Sequence, residues 1–294
     1  MITYNPKDWF KLIFQFHKSD TFRILLPTML VLGFLTAGVC YVENIYIHKI
    51  PASITIFHQI SGFIISLVLV FRINTAYDRW WEGRKAWGSL LNNSRNLAIK
   101  LNSFITPDDS LARQELSNLI SNFAFSLKEH LRNNNSKDGI IFGAELTETE
   151  YLASSHKPNF IAKQLSAYSY RLSKTHSHIA DDYFVLNQNL NEMIDICGAC
   201  ERIKSTPIPF SYSLFIKKII FLYVITMPFT FGIAIGYIAI PVVMIMFYAF
   251  ASLELLSEEI EDPFGLDSND LPTDELSAKI RQNVREILIT NGNN

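Results

Sequence analysis

Three groups of residues in this 294-residue chain have types and spacings that could do chemistry. Cys197-Gly-Ala-Cys200 has the spacing of redox and zinc pairs, but no second Cys or His pair lies near it in the sequence to complete a site. It also falls inside a helical pattern, where i and i+3 simply share a face, so two buried thiols are the favoured reading. His176-Ser-His178, followed by Asp181 and Asp182, is a second candidate, because His178 and Asp182 share a helix face at i, i+4 and could hold a metal. A solvated helix face explains that group more simply. The third is the acidic run Glu258 to Asp270. Glu259, Asp262, Asp267 and Asp270 offer oxygen donors that Pro263 and Gly265 could fold around a hard cation such as calcium. The same acids could equally neutralise a basic segment and cap local backbone, and the residues leave those two readings level.

No dinucleotide fingerprint, phosphate-binding loop or nucleophile elbow is present, so the chain reads as not being an enzyme. A membrane-anchored metal-binding enzyme or sensor is kept as an alternative of another class. The three cysteines suggest no disulfide framework and fit a reducing compartment. A net charge of −2 gives no reason to expect nucleic acid as a partner. That small number hides segregation: Glu254 to Glu275 holds nine acids and no Lys or Arg, whereas Arg72 to Lys100 is net basic.

The elements that would position these residues are apolar helices. Hydrophobic residues make up 49% of the chain and charged ones 18%, a balance shifted toward a membrane protein. Residues 1–23 interleave Lys7, Lys11, Lys18 and Arg23 with aromatics and read as an amphipathic segment at a bilayer surface. Ile24 to Val42 carries no charge and is long enough to span. A second apolar segment, about Ile54 to Ile73, contains His58, Gln59, Ser61 and Ser66, and polar residues in a spanning helix face protein or water. The apolar run Ile219 to Leu256, interrupted by Pro228, Gly232, Gly236 and Pro241, is too long for one pass and reads as two. Four spans follow, in transmembrane regions 24–73 and 214–256.

Between them, region 74–213 shows helical and no strand periodicity, with a helix from Ser110 to Leu131 and two more over Phe160 to Ser177 and Ile179 to Ile203. Region 257–294 is read as an acidic turn and a C-terminal helix. Lys and Arg cluster before span one, after span two and before span three, which puts both termini and the helical body in the cytoplasm of a multi-pass protein of the cell (inner) membrane.

One stretch ties the halves together. Phe63 to Trp81 begins as membrane-grade hydrocarbon and turns, with no Pro, into a charged, tryptophan-rich helix. Phe63, Leu67 and Phe71 recur every four residues and stack on one helix face over about 12 Å. Such a row can face lipid, a neighbouring helix, or copies of itself around an axis. Its charged half, Arg72 to Glu82, is expected to meet the acids that follow the last span.

Several ordered residues resemble one family. Phe71-Arg72, then Tyr77-Asp-Arg79-Trp80-Trp81-Glu82, Asn191-Glu192-Met193, Cys197-Gly198, Thr206-Pro-Ile-Pro209 and Asp262-Pro263-Phe264-Gly265 look like a bestrophin of the prokaryotic branch. The resemblance runs over essentially the whole chain. It implies an all-α membrane protein, four transmembrane helices with a helical cytosolic domain, assembled as a bestrophin-like homopentamer around a central pore. The three apolar neck rings of that family would be Phe63, Leu67 and Phe71, and its cytosolic aperture would fall at Phe184, where relatives more often carry Ile or Val. The family's calcium clasp maps onto Glu259, Asp262, Asp267 and Asp270, with Ser268 and Asn269 standing where calcium-gated members have acids. The implied function is a passive channel for chloride or similar monovalent anions, with a monovalent-cation channel as the alternative. No cofactor is required, and the partners are the lipid bilayer, permeant ions and further copies of the chain.

Overall fold

In the computed structural model the described residues are 20–46, 52–106, 108–175 and 182–289, and every regular element among them is helical. In chain order these are α1 (Asp20–Tyr46), α2 (Ala52–Phe104), α3 (Ser110–Leu131), α4 (Glu148–Ala153), α5 (Lys157–Thr175), α6 (Asp182–Ser205), α7 (Phe210–Ile235), α8 (Ala239–Glu261) and α9 (Thr273–Leu288). The basic amphipathic segment expected at 1–23 lies almost wholly outside the described residues, as do His176, His178 and Asp181. The chain divides into two units, residues 2–79 with 207–261, and residues 80–206 with 262–294.

The first unit is the apolar one. Three stretches are long and apolar enough to cross a membrane: Thr21–Tyr46, Ile54–Phe104 and Phe210–Glu261. Among the described residues three such stretches are found where four were expected, because Phe210–Glu261 counts as one. That third stretch is nonetheless folded in two. A single 3₁₀ turn, Gly236–Ile238, separates α7 from α8, and Gly236 there takes φ +60°, a conformation that favours glycine. Lys217 near the start of α7 meets Glu258 near the end of α8 at 2.9 Å, so the two helices run back along each other. Leu32, Ile65, Leu69, Ile220, Val224, Met227 and Val243 pack between the helices. Three of the polar residues of the second segment have identifiable partners. His58 is buried and stacks on Tyr223 with ring centroids 4.2 Å apart. Ser61 and Ser66 spend their hydroxyls on the carbonyls of Phe57 and Gly62, each at 2.8 Å. A side chain at Gly62 would collide with the Tyr223 hydroxyl, so that close crossing depends on glycine.

The second unit is a bundle around α3. Leu116, Leu119, Ile120, Phe123 and Leu127 fill its centre at helical spacing, against Trp87, Leu90 and Leu97 of α2, Ile161 and Leu165 of α5, and Ile280 and Val284 of α9. Asp109 starts α3 by accepting from the Ala112 amide at 3.0 Å, and Asn133 ends it with φ +53°. The helix expected over Phe160 to Ser177 begins earlier, at Lys157, and is described as far as Thr175; Ser177 lies outside the described residues.

Charged groups lock α3 to α9. The Arg132 guanidinium donates to Asp274 at 2.8 Å, and Lys128 donates to the other carboxylate oxygen, also at 2.8 Å. The Arg132 hydrogen bond, against burial and with help from Lys128, brings the Asp274 carboxyl from its ordinary 3.8 down to about 2. The folded carboxyl binds its proton less readily than the unfolded one. Its stabilisation is therefore present above pH 3.8 and is lost as pH falls toward about 2. Melting temperature should drop across that window, and Asp274→Asn should flatten the drop. An equally steep acid loss in the variant would assign it to other groups.

Candidate functional site

The Phe63–Phe71 row is left open by the chain's own folding. Phe63, Leu67 and Phe71 are 70%, 47% and 58% exposed, while Ile65, Leu69 and Arg72 on the opposite side of α2 are buried. The exposed line continues beyond Phe71 through Asn74 and Asp78, both exposed and within the same helical stripe. The result is one unpartnered face, apolar for two turns and then polar.

What fixes the rotation of that face is a buried charge cluster behind it. Arg72 is fully buried; its Nη2 donates to Glu261 at 2.8 Å and its Nε lies 3.6 Å from Glu254. The second Glu261 oxygen accepts from the Ile208 amide at 2.6 Å, and the Glu261 carbonyl accepts from Arg79 Nε at 3.2 Å. The basic half of the helix thus meets Glu254 and Glu261 of α8, just ahead of the acidic turn. Sequence reasoning pointed to the turn itself, which Trp80 does reach by donating its Nε1–H to the Asn269 carbonyl at 3.0 Å, but it missed Glu254, whose place in an apolar run three residues before Ser257 was the available signal.

The four acids assigned to calcium divide between the two units. Glu259 belongs to the apolar unit, and Asp262, Asp267 and Asp270 to the other. Asp262 pairs with Lys204, and Asp270 accepts from the Asp267 amide at 2.8 Å. Leu271 donates its amide to the Pro263 carbonyl at 2.9 Å, closing the turn on itself.

Phe184 stands near the start of α6 and is 76% exposed. That end of α6 is fixed by polar contacts: Asn93 donates to the Asn189 carbonyl at 2.8 Å, and Lys100 donates to the Val185 carbonyl and to Asn189 Oδ1. Cys197 and Cys200 on the same helix are buried free thiols. Burial, with Glu201 close by, pushes the Cys200 thiol up to about 12 and the Cys197 thiol up as well, so neither forms a thiolate at neutral pH.

One constellation was invisible in the sequence. His130 Nε2 and His156 Nε2 both lie on Glu201 Oε1, at 2.7 and 2.6 Å, although 71 and 45 residues separate them from Glu201. Burial would raise the Glu201 carboxyl, but hydrogen bonds from His156 and His130 hold it below its ordinary value.

Comparison with known proteins gives one consistent picture. The family model described as Bacterial/Fungal Bestrophin protein matches residues 1–286. A voltage-dependent anion channel-forming protein of Nostoc sp. is 32% identical over 97% of this chain and 94% of its own length. One of Escherichia coli K12, with the same description, is 31% identical over 95% of this chain and 91% of its own. A crystal structure of a bacterial bestrophin homolog from Klebsiella pneumoniae superposes with a TM-score of 0.80 at 26% identity, covering 90% of this chain and 98% of that one. The ordered motifs from Phe71-Arg72 to Asp262-Pro-Phe-Gly, the all-helical fold and a match over nearly the full length agree, and the chain belongs to the bacterial and fungal bestrophin family.

Proposed function

We propose that this protein is a passive ion channel of the cell (inner) membrane in which α2 helices from five copies line a neck, with Phe63, Leu67 and Phe71 as stacked apolar rings. The observation that carries this reading is the exposed row itself, held in one rotation by the buried Arg72 cluster on its reverse side. Relatives described as anion channel-forming proteins support the function class. An apolar tube conducts or dewets with small changes of radius; Phe rings turned edge-on to the axis would favour anions, and rings turned face-on would favour cations. Chloride and similar monovalent anions are the proposed cargo on the strength of those relatives' descriptions. Phe184 is proposed as a second constriction, on the strength of its exposure and the fixed backbone beneath it. Both termini are proposed to lie on the cytoplasmic side, from the distribution of Lys and Arg.

Native mass spectrometry of the detergent-solubilised protein should show five copies; a monomer would remove the neck. A second reading, a monovalent-cation channel, is favoured by Asp78, which is exposed on the same stripe and would form a ring of carboxylates in a pentamer. Asp78→Asn separates the two. A small change in reversal potential is expected of an anion channel, and loss of potassium preference of a cation channel.

A further inference from the structure

We infer that His130, His156 and Glu201 form a transition-metal site, of the kind that takes zinc, in the helical unit of this chain. Among the described residues this is the group of three whose donor atoms, one per side chain, all lie within 4.8 Å of one another. They come from three separate pieces of chain. His130 is the penultimate residue of α3, His156 immediately precedes α5, and Glu201 lies in the last turns of α6. Two imidazole nitrogens converging on a carboxylate make the donor set of a three-ligand zinc centre with a fourth, open position.

The donor chemistry decides which metals fit. Imidazole suits zinc and its neighbours, whereas calcium and magnesium need oxygen ligands, so this is not a second version of the acidic turn. The two rings are tilted by 37° with centroids 4.5 Å apart, and each of the three side chains is about one-third exposed. A site that open has a path for the ion and room for the nitrogens and the carboxylate oxygen, now 2.7 and 2.6 Å apart, to part to a tetrahedral edge of roughly 3.3 Å, the spacing set by zinc–ligand bonds of about 2.0 Å. Two buried thiols, Cys197 and Cys200, lie on the same helix as Glu201, but the donors that converge are the two histidines and the carboxylate.

Binding has one local consequence. His156 Nδ1 now accepts from the Asn159 amide at 3.2 Å, which puts its ring proton on Nε2 and toward Glu201. A metal on Nε2 moves that proton to Nδ1 and gives up the amide contact at the start of α5. In exchange the ion joins the end of α3, the lead into α5 and the last turns of α6. The inference stands whether or not the chain conducts.

The test uses the full chain in detergent, stripped with chelator and titrated with cobalt(II), then with zinc. One cobalt per chain is expected, with the intense visible bands of a tetrahedral centre and no sulfur-to-metal charge-transfer band, and zinc should displace it. His130→Gln and Glu201→Gln should each weaken binding by about 100-fold or more, the upper end of what even outer-shell partners contribute. Zinc should raise the melting temperature of the wild type and not of His130→Gln, whose metal-free melting temperature serves as the folding control. Octahedral cobalt spectra, or binding unchanged in both variants, would mean an adventitious ion only and would overturn the assignment. If both variants fail to fold, His156→Gln in the wild-type background with the same zinc-dependent melting shift decides it: a retained shift rejects the site.

Discussion

Replacing Phe63, Leu67 and Phe71 together with alanine is expected to raise single-channel conductance several-fold in planar bilayers while leaving thermal stability almost unchanged. The two halves of that expectation rest on the same observation. All three side chains are exposed in the folded chain, so truncating them removes little packing within it, and surface changes of this kind fall within about 0.5 kcal/mol. In a neck they are the atoms that set the radius, and a wider apolar constriction stays wetted and conducts more. If the row instead packed against another helix, each Phe or Leu truncation would cost about 2–5 kcal/mol. If it faced lipid, conductance would not move. A large loss of melting temperature or an unaltered current would each reject the neck.

Arg72→Ala should be the most damaging single change in the apolar unit. The guanidinium is fully buried between Glu254, whose side chain is 5% exposed, and Glu261, at 13%. Neither Glu254 carboxylate oxygen has a hydrogen-bond partner among the described residues, and the carboxylate lies 3.6 Å from the Arg72 guanidinium. Breaking a buried pair by removing one partner costs about 3–5 kcal/mol, because the charge left behind has neither water nor a counter-ion. Here two carboxylates would be left. Heating followed by size-exclusion chromatography should show a strongly lowered melting point or no assembled protein. Adding Glu254→Gln to Arg72→Ala should recover part of the loss, since an amide is cheaper to bury than an anion. No recovery would mean that Arg72 acts by packing and not by charge. The cluster also sets which way α2 faces, so any Arg72→Ala protein that does assemble should pass altered current.

How much of this was legible in the sequence depended on distance along the chain. The helix from about Ser110 to Leu131 was readable because its apolar period is local, although the Asp109 cap that starts it was not picked out. The continuity of α2 from hydrocarbon into the tryptophan-rich half was readable because nothing between Phe63 and Trp81 breaks a helix. The count of apolar stretches was not, since Gly236 turns the chain without any polar residue to interrupt its hydropathy. Charge segregation correctly directed Arg72 toward downstream acids, but only the fold selects Glu254 and Glu261 over Asp262, Asp267 and Asp270. The His130–His156–Glu201 cluster could not be read at all. Its members are single polar residues at helix ends, and three elements must pack before they meet. The CxxC drew attention to the right helix for the wrong residues: the thiols are core, and the next residue, Glu201, is the one that faces the histidines.

The most direct test of an anion-conducting channel is the reversal potential of the purified wild-type protein in a planar bilayer under a tenfold KCl gradient. Such a gradient places the chloride and potassium equilibrium potentials about 59 mV on opposite sides of zero. Current reversing close to the chloride value is the expected result. Reversal close to the potassium value, or a bilayer that stays silent with pentamer incorporated, would contradict it.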